Sequence, residues 1–256
     1  AEVVSYFRWR QAPYAQEQMH AGLMYRDNTP ASGQEEAKQV SDELKKIEMP
    51  ATEQSPIALV HDYEACWMTE LDGQTHDFHY TRLLLDFYKA VRMNGGSLDI
   101  VGKNADFTGY KLVIIPSFVH FQEEDLQRVI KSGAQILAGP RTGIKNPDFQ
   151  LPNELSLEGL GFQVRRIDAL PRDLPVSVEW NGIKGNFSVW REHGLTSGVS
   201  EGKSSDGMAV LTSGNQGSYL CGWPDQKLLN AIMKNQMQLA GLDVVELPEY
   251  LRVRRR

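Results

Sequence analysis

The chain has 256 residues, 41% of them hydrophobic and 23% charged, and a formal net charge of −6. That describes an ordinary globular chain, one large domain or two small ones, with enough apolar content for a sizeable core. The charge opposes non-specific nucleic-acid binding, no apolar run approaches the ~20 residues of a membrane span, and two cysteines, Cys66 and Cys221, make neither a disulfide framework nor a Cys-rich metal spacing; a reducing, cytoplasmic setting is the simplest reading.

The first element is a β-rich run, Val3, Val4, Tyr6, Phe7 and Trp9, that leads straight into Arg8, Arg10, Gln11, Glu17 and His20. An apolar strand ending in clustered ionisable groups is how a (β/α)8 barrel presents a site. Glu17 and His20 are three apart, so on a helical turn they share one face. Together they offer a carboxylate acceptor and an imidazole, a pair suited to several hydroxyls of a sugar. The same residue types also build internal salt-bridge networks, with Glu17 paired to Arg8 or Arg10, and spacing alone favours that plainer reading. Ser32-Gly33-Gln34-Glu35 reads as a capping box. The helix after it carries Val40, Leu44 and Ile47 on one face and ends before Pro50. Residues 51–56 form a polar linker.

An alternation follows. Ile57 to Val60 is a short apolar strand, Phe78 to Met93 a helix with Leu84, Phe87, Tyr88 and Val91 on its buried stripe, and Asn94-Gly95-Gly96 its stop. Leu98 to Val101 and Lys111 to Ile115 are strands, the latter near-continuously apolar as in a parallel sheet covered on both faces. Glu123 to Lys131 is a helix with acids first and a lysine last, matched to the macrodipole. Ala134 to Ala138 is a fourth strand, and the whole predicts a doubly wound parallel sheet. From Pro140 Gly and Pro become frequent. Val176 to Trp180 and Asn186 to Trp190 flank Asn181-Gly182 as a hairpin. Met208 to Leu211 and Ser218 to Gly222 form another antiparallel pair; Gln226 to Ala240 is a helix and Val244 to Leu247 a last strand.

Other candidate groups receive plainer readings. Asp62 and Glu64 follow the first parallel strand, where open α/β sheets place ligands; capping of the next turn and interface contacts suit them better than a site. Ser117 lacks the flanking glycines of a nucleophile elbow, having Pro116 and Phe118 instead. Gly139 to Gly143 could cradle an anion but lacks a phosphate-loop ending, so a plain turn with Arg141 and Lys145 exposed or at an interface is expected. His76 and His79 have helical spacing, but no metal site is expected there, and no cofactor motif is present. The Arg252 to Arg256 cluster sits in an alternation typical of a half-buried strand. Phe118 and Phe121 are candidate interface anchors.

Ser5 to Gly22, together with IALVHDYEACW, KLVIIPS, LAGPRTGIKNPDFQLPNEL and LPEYLRVRRR, resembles the beta-galactosidases of glycoside hydrolase family 42. The resemblance implies residues 1–50 as the last βα unit of the catalytic (β/α)8 barrel and 51–56 as a linker. It implies 57–250 as a flavodoxin-like trimerisation domain, similar to class I glutamine amidotransferases, with added antiparallel strands. Residues 251–256 would lead to a small β domain, so the chain reads as a fragment. It further implies that Glu17 and His20 bind the galactosyl unit of a galactoside substrate, that Phe7 lines the same pocket with Tyr14 near it, and that the partner is a homotrimer in which a neighbour helps wall off each site. The family's two catalytic glutamates lie on earlier strands and have no counterpart here, so no catalytic residue is expected in this chain. An assembly module without a sugar-binding role, and an amidotransferase-like enzyme using Cys66, Cys221 or Ser117, are the alternative readings.

Overall fold

A computed structural model describes residues 4–47, 53–75, 77–153, 155–157 and 159–253. Val3, the linker up to residue 52, His76 and Arg254 to Arg256 lie outside the described residues. The chain divides into two compact units between Glu53 and Gln54.

In the first unit residues 4–9 make no strand, contrary to the sequence reading. A strand needs neighbours, and among the described residues only 22–24 lie alongside: Leu23 N–H donates to the Arg8 carbonyl (3.0 Å), Met24 N–H to Trp9 (2.8 Å) and Gln11 N–H to Met24 (3.0 Å). Gly22 permits this approach, because a Cβ there would lie 2.8 Å from the Gln11 nitrogen. Helix α1 spans Ser32–Leu44. The capping box is not made: Ala31 is the N-cap and Ser32 already lies inside the first turn. Ala31 N–H donates to the Leu23 carbonyl (3.0 Å), which fixes the chain's entry one residue early. Val40, Leu44 and Ile47 stay 40–51% exposed, so the helix's apolar stripe is only partly covered by the described residues.

The second unit opens with β1 (Ile57–Val60), α2 (Tyr63–Leu71), α3 (Tyr80–Met93), β2 (Leu98–Val101), β3 (Leu112–Ile115), α4 (Glu123–Lys131) and β4 (Gln135–Ala138). The four strands are parallel, in the order β2-β1-β3-β4, and every residue of β1 and β3 is buried. Helix α2 was not foreseen beyond a turn: its residues Ala65, Cys66, Trp67 and Met68 carry no clear amphipathic period, yet Asp62 caps it, accepting from Ala65 N–H at 2.9 Å. In α3 Phe87 and Val91 are buried as expected, but the stripe is centred on Tyr80, Leu83 and Ala90, leaving Leu84 and Tyr88 partly covered. Gly95, at φ +77°, turns the chain out of it.

The rest is largely antiparallel: β5 (Leu155–Ser156), β6 (Phe162–Ala169), β7 (Val176–Trp180), β8 (Ile183–Thr196), β9 (Val199–Ser204), β10 (Ala209–Ser213), β11 (Ser218–Leu220) and β12 (Gly222–Pro224), closed by α5 (Gln226–Leu239). Beyond β4 the same sheet continues β11-β10-β9-β7-β8-β6-β5, with β12 on β8. Because β11 runs parallel to β4, the first five strands reproduce the flavodoxin-like order. The Asn181-Gly182 hairpin forms, both residues at positive φ and Trp180 opposite Ile183. The expected pair around Leu211 and Leu220 also forms. Strands β6 and β9 were not foreseen. Val244 to Leu247 is not a strand; instead the Val245 and Leu247 N–H groups donate to the Asn94 and Met93 carbonyls (3.2 and 2.7 Å), which the end of α3 leaves open. Residues 251–253 are exposed and join no strand.

Trp190 of β8 is the largest fully buried side chain. Its ring stacks on Phe78 at 4.0 Å between centroids, and the Arg141 guanidinium lies 4.4 Å from the ring centre on the same side chain. Arg141 is therefore buried, not exposed as its loop implied. Two positions on, Glu192 is buried as well, accepting from the Arg141 N–H (2.8 Å) and the Tyr219 hydroxyl (2.8 Å). Burial pushes the Glu192 carboxyl up to about 7, against the pull of those two donors and of the Arg141 charge.

Replacing Trp190 by Ala should lower unfolding free energy by about 3–5 kcal/mol, as expected for a large buried aromatic; denaturant unfolding reads this, and a change under 1 kcal/mol would contradict the packing described. Glu192 supplies a second expectation. Unfolded, its carboxyl ionises near the ordinary 4.5; folded, only near about 7. Between those values the folded chain keeps a proton that the unfolded chain has lost, so stability should fall as pH rises through the window and level off above it. The amplitude is on the order of 3 kcal/mol. Glu192→Gln should flatten that decline in urea midpoints measured across pH.

Candidate functional site

The loop from Phe7 to Gly22 gathers the residues singled out in the sequence. The Arg8 guanidinium lies 5.1 Å from the Phe7 ring centre, and the Phe7 and His20 rings meet edge to face at 6.5 Å. Arg8 also reaches Glu17, its Nη2 donating to Oε2 and its Nη1 to the backbone carbonyl, both at 3.4 Å. Glu17 and His20 sit on a tight turn rather than a helical one, closed by His20 N–H to the Glu17 carbonyl at 3.1 Å. Ala15 and Glu17 both take left-handed backbone conformations, φ +67° and +61°, which cost about 1–3 kcal/mol each outside glycine. Gln11 and Gln18 brace the loop through carbonyls of Gln18 and Ala15 (2.9 and 2.7 Å). Arg10 turns away to the Asn28 side chain at 3.0 Å. Phe7, Tyr14, Glu17 and His20 are all exposed. An exposed carboxylate and imidazole beside an open aromatic face can take a ligand with hydroxyls and an apolar side.

The carboxyl ends of the parallel strands form a second neighbourhood, in the other unit. Phe118 and Phe121, expected as exposed anchors, are instead fully buried and pack edge to face at 5.4 Å. The exposed aromatics at this edge are Tyr63 and Trp67 on α2, one turn apart and followed by exposed Leu71. Ser117 is buried with its hydroxyl unpaired. Lys145 pairs with Asp72 at 2.9 Å. Burial pushes the Cys66 thiol up to about 11 and the Cys221 thiol well above its ordinary value. Neither is disposed to act as a thiolate nucleophile. His120 is buried close to Asp62 and Glu64. Its pKa is lowered, first by burial and then by nearby Lys103.

Comparison with known proteins places these units. Residues 1–47 match a family model described as beta-galactosidase, and residues 55–243 match one described as beta-galactosidase trimerisation domain. A beta-galactosidase, BgaA, of a Thermus species is 42% identical over the whole chain, and a beta-galactosidase of Thermus thermophilus 40%. The chain spans about 40% of the length of each. The crystal structure of a beta-galactosidase from the psychrophilic Marinomonas ef1 superposes with a TM-score of 0.92 at 35% identity, covering all of this chain and 41% of that one. A beta-galactosidase of the haloarchaeon Halorubrum lacusprofundi gives 0.89 at 29%, covering 96% and 40%. The architecture is thus a glycosidase barrel segment followed by a flavodoxin-like assembly domain, and the chain belongs to the family 42 beta-galactosidases. Among the described residues no helix is long and apolar enough to cross a membrane.

Proposed function

We propose that this chain is the part of a retaining beta-galactosidase that supplies galactose-binding residues and the assembly domain. The two expected segments are residues 1–50 for the barrel end and 57–250 for the trimerisation domain, joined by 51–56. The observation that carries the reading is the convergence of Phe7, Glu17 and His20 on one braced loop. Glu17 and His20 hold the sugar hydroxyls, and the Phe7 ring packs on the sugar's apolar face. The Arg8–Glu17 contact, at 3.4 Å, is longer than the roughly 2.7–2.9 Å of a strong charge-assisted bond, which leaves the carboxylate open to further donors. The left-handed Glu17 backbone also supports the reading, since strain of this kind gathers at binding sites. Epimer selection follows, because a wrongly placed hydroxyl leaves polar groups unpaired.

The chemistry is double displacement, in which one glutamate protonates the glycosidic oxygen and a second attacks the anomeric carbon, the two carboxyls about 5–5.5 Å apart. Neither glutamate has a counterpart in this chain, so the isolated chain is inactive. A cytoplasmic setting goes with the free thiols of Cys66 and Cys221. The exposed row of Tyr63, Trp67 and Leu71 is the candidate contact face for a homotrimer. The assembly-module reading, without sugar binding, is favoured by one observation: Arg8 already contacts Glu17.

In the full-length enzyme Glu17→Gln should reduce kcat/KM by about tenfold to a hundredfold, the loss of charge-assisted hydrogen bonds of roughly 1.5–3 kcal/mol. His20→Ala should do comparable damage, and azide or formate should rescue neither. Normal kinetics with a lowered Tm would instead make Glu17 a structural partner of Arg8. Light scattering of the isolated chain over a concentration series should show a trimer; a monomer at the highest concentration would mean that residues 57–250 do not trimerise by themselves.

A further inference from the structure

The flavodoxin-like order places its switch point between β1 and β3, where neighbouring connections leave in opposite directions, and ligands of such sheets bind outside the strand ends there. Asp62 and Glu64 follow β1; His120 follows β3. His120 is 4% exposed, and among the described residues neither of its ring nitrogens has a hydrogen-bond partner. A buried polar group left unpaired calls for a physical explanation, a bound ion being one of the few available.

The distances point the same way. His120 Nε2 lies 3.8 Å from Asp62 Oδ1 and 3.5 Å from Glu64 Oε2, and the three ligand atoms all fall within 4.8 Å of one another. Direct hydrogen bonds between imidazole and carboxylate are shorter, about 2.7–3.2 Å. Ligands bonded to one zinc ion at about 2.0–2.2 Å in tetrahedral array stand about 3.4 Å apart. The two imidazole–carboxylate distances are too long for direct hydrogen bonds and close to those between ligands of a shared cation. Two of them are held in place beforehand. Asp62 is oriented by its cap on α2 through Ala65 N–H at 2.9 Å. The imidazole packs against Phe118 at 4.7 Å, and its backbone carbonyl accepts from Gln122 Nε2 at 2.9 Å. The charged groups around the ring are Lys103, Asp62, Glu64 and Asp125.

We propose that Asp62, Glu64 and His120 bind a divalent transition-metal ion of the zinc class at this strand-end crevice. One imidazole nitrogen with two carboxylates suits zinc, and the nitrogen disfavours magnesium and calcium, which take oxygen ligands. Glu64 is the mostly exposed member, with a side chain 65% exposed, so the ion enters from solvent on that side and keeps water in its open position. All three residues belong to the second unit.

The test uses the whole 256-residue chain, stripped with a chelator and titrated calorimetrically with zinc alone near neutral pH. One zinc per chain should bind saturably and raise Tm, and magnesium should do neither. Glu64→Gln should weaken binding by roughly tenfold or more, and His120→Gln should abolish it. His193→Gln is the control: that imidazole contacts Asp168 at 2.7 Å in another cluster, and its loss should leave zinc affinity unchanged. If His120→Gln does not fold, the exposed Glu64 variant decides alone. No saturable binding, an unchanged Kd in Glu64→Gln, or loss of binding in His193→Gln would overturn the assignment.

Discussion

One buried carboxyl joins the two halves of the large sheet. Glu192 belongs to the antiparallel half, on β8, yet it accepts from the Arg141 N–H just beyond parallel β4 and from the Tyr219 hydroxyl of β11. Strand β11 is three residues long and, among the described residues, is the step at which the strand order passes from parallel to antiparallel neighbours. So short a ladder offers few backbone bonds, and side-chain bonds in a dry interior supplement it. The same junction places Arg141 against Trp190 and Trp190 against Phe78. A charged loop residue, a carboxyl and two aromatic rings thus fix where the halves meet, and with that the shape of the strand-end edge.

Much of the parallel half was legible because its signals are local. Ile57 to Val60 and Leu112 to Ile115 are unbroken apolar runs, and a run of that length buried on both faces has few alternatives to a central strand. Asn181-Gly182 fixed a hairpin through its need for positive φ. What stayed hidden depends on distant partners. Helix α2 has mixed apolar residues on several sides, and its start is set by the Asp62 cap. Strands β6 and β9 carry many charges and alternate poorly, because their neighbours, not their own residues, define them. Arg141, Phe118 and Phe121 read as surface residues from their loops, yet each is covered by other segments.

The candidate sugar-binding residues show the same division. That Phe7, Glu17 and His20 belong together came from resemblance, since residue spacing alone also fitted a salt-bridge network. The geometry contains an element of both, with Arg8 between the aromatic ring and the carboxylate. The helical turn assumed for Glu17 and His20 failed because a left-handed residue at Glu17 makes a tight turn instead. Nothing in the sequence marks Glu17 for positive φ. The grouping of His120 with Asp62 and Glu64 was equally invisible, because it joins residues from the ends of β1 and β3, between which the chain runs through two helices and a further strand.

The sheet's two margins carry a consequence of their own. One is β2, four residues long with the carboxylate of Asp99 accepting from Ser55 and Tyr110; the other is β5, of two residues. Exposed strand margins invite indiscriminate stacking of sheet on sheet, and brevity and charge are the usual safeguards. A chain built this way has little means of polymerising through its backbone. Copies that come together must do so through side chains, whose shapes select a partner and a stoichiometry, so finite assemblies are favoured over open-ended fibres.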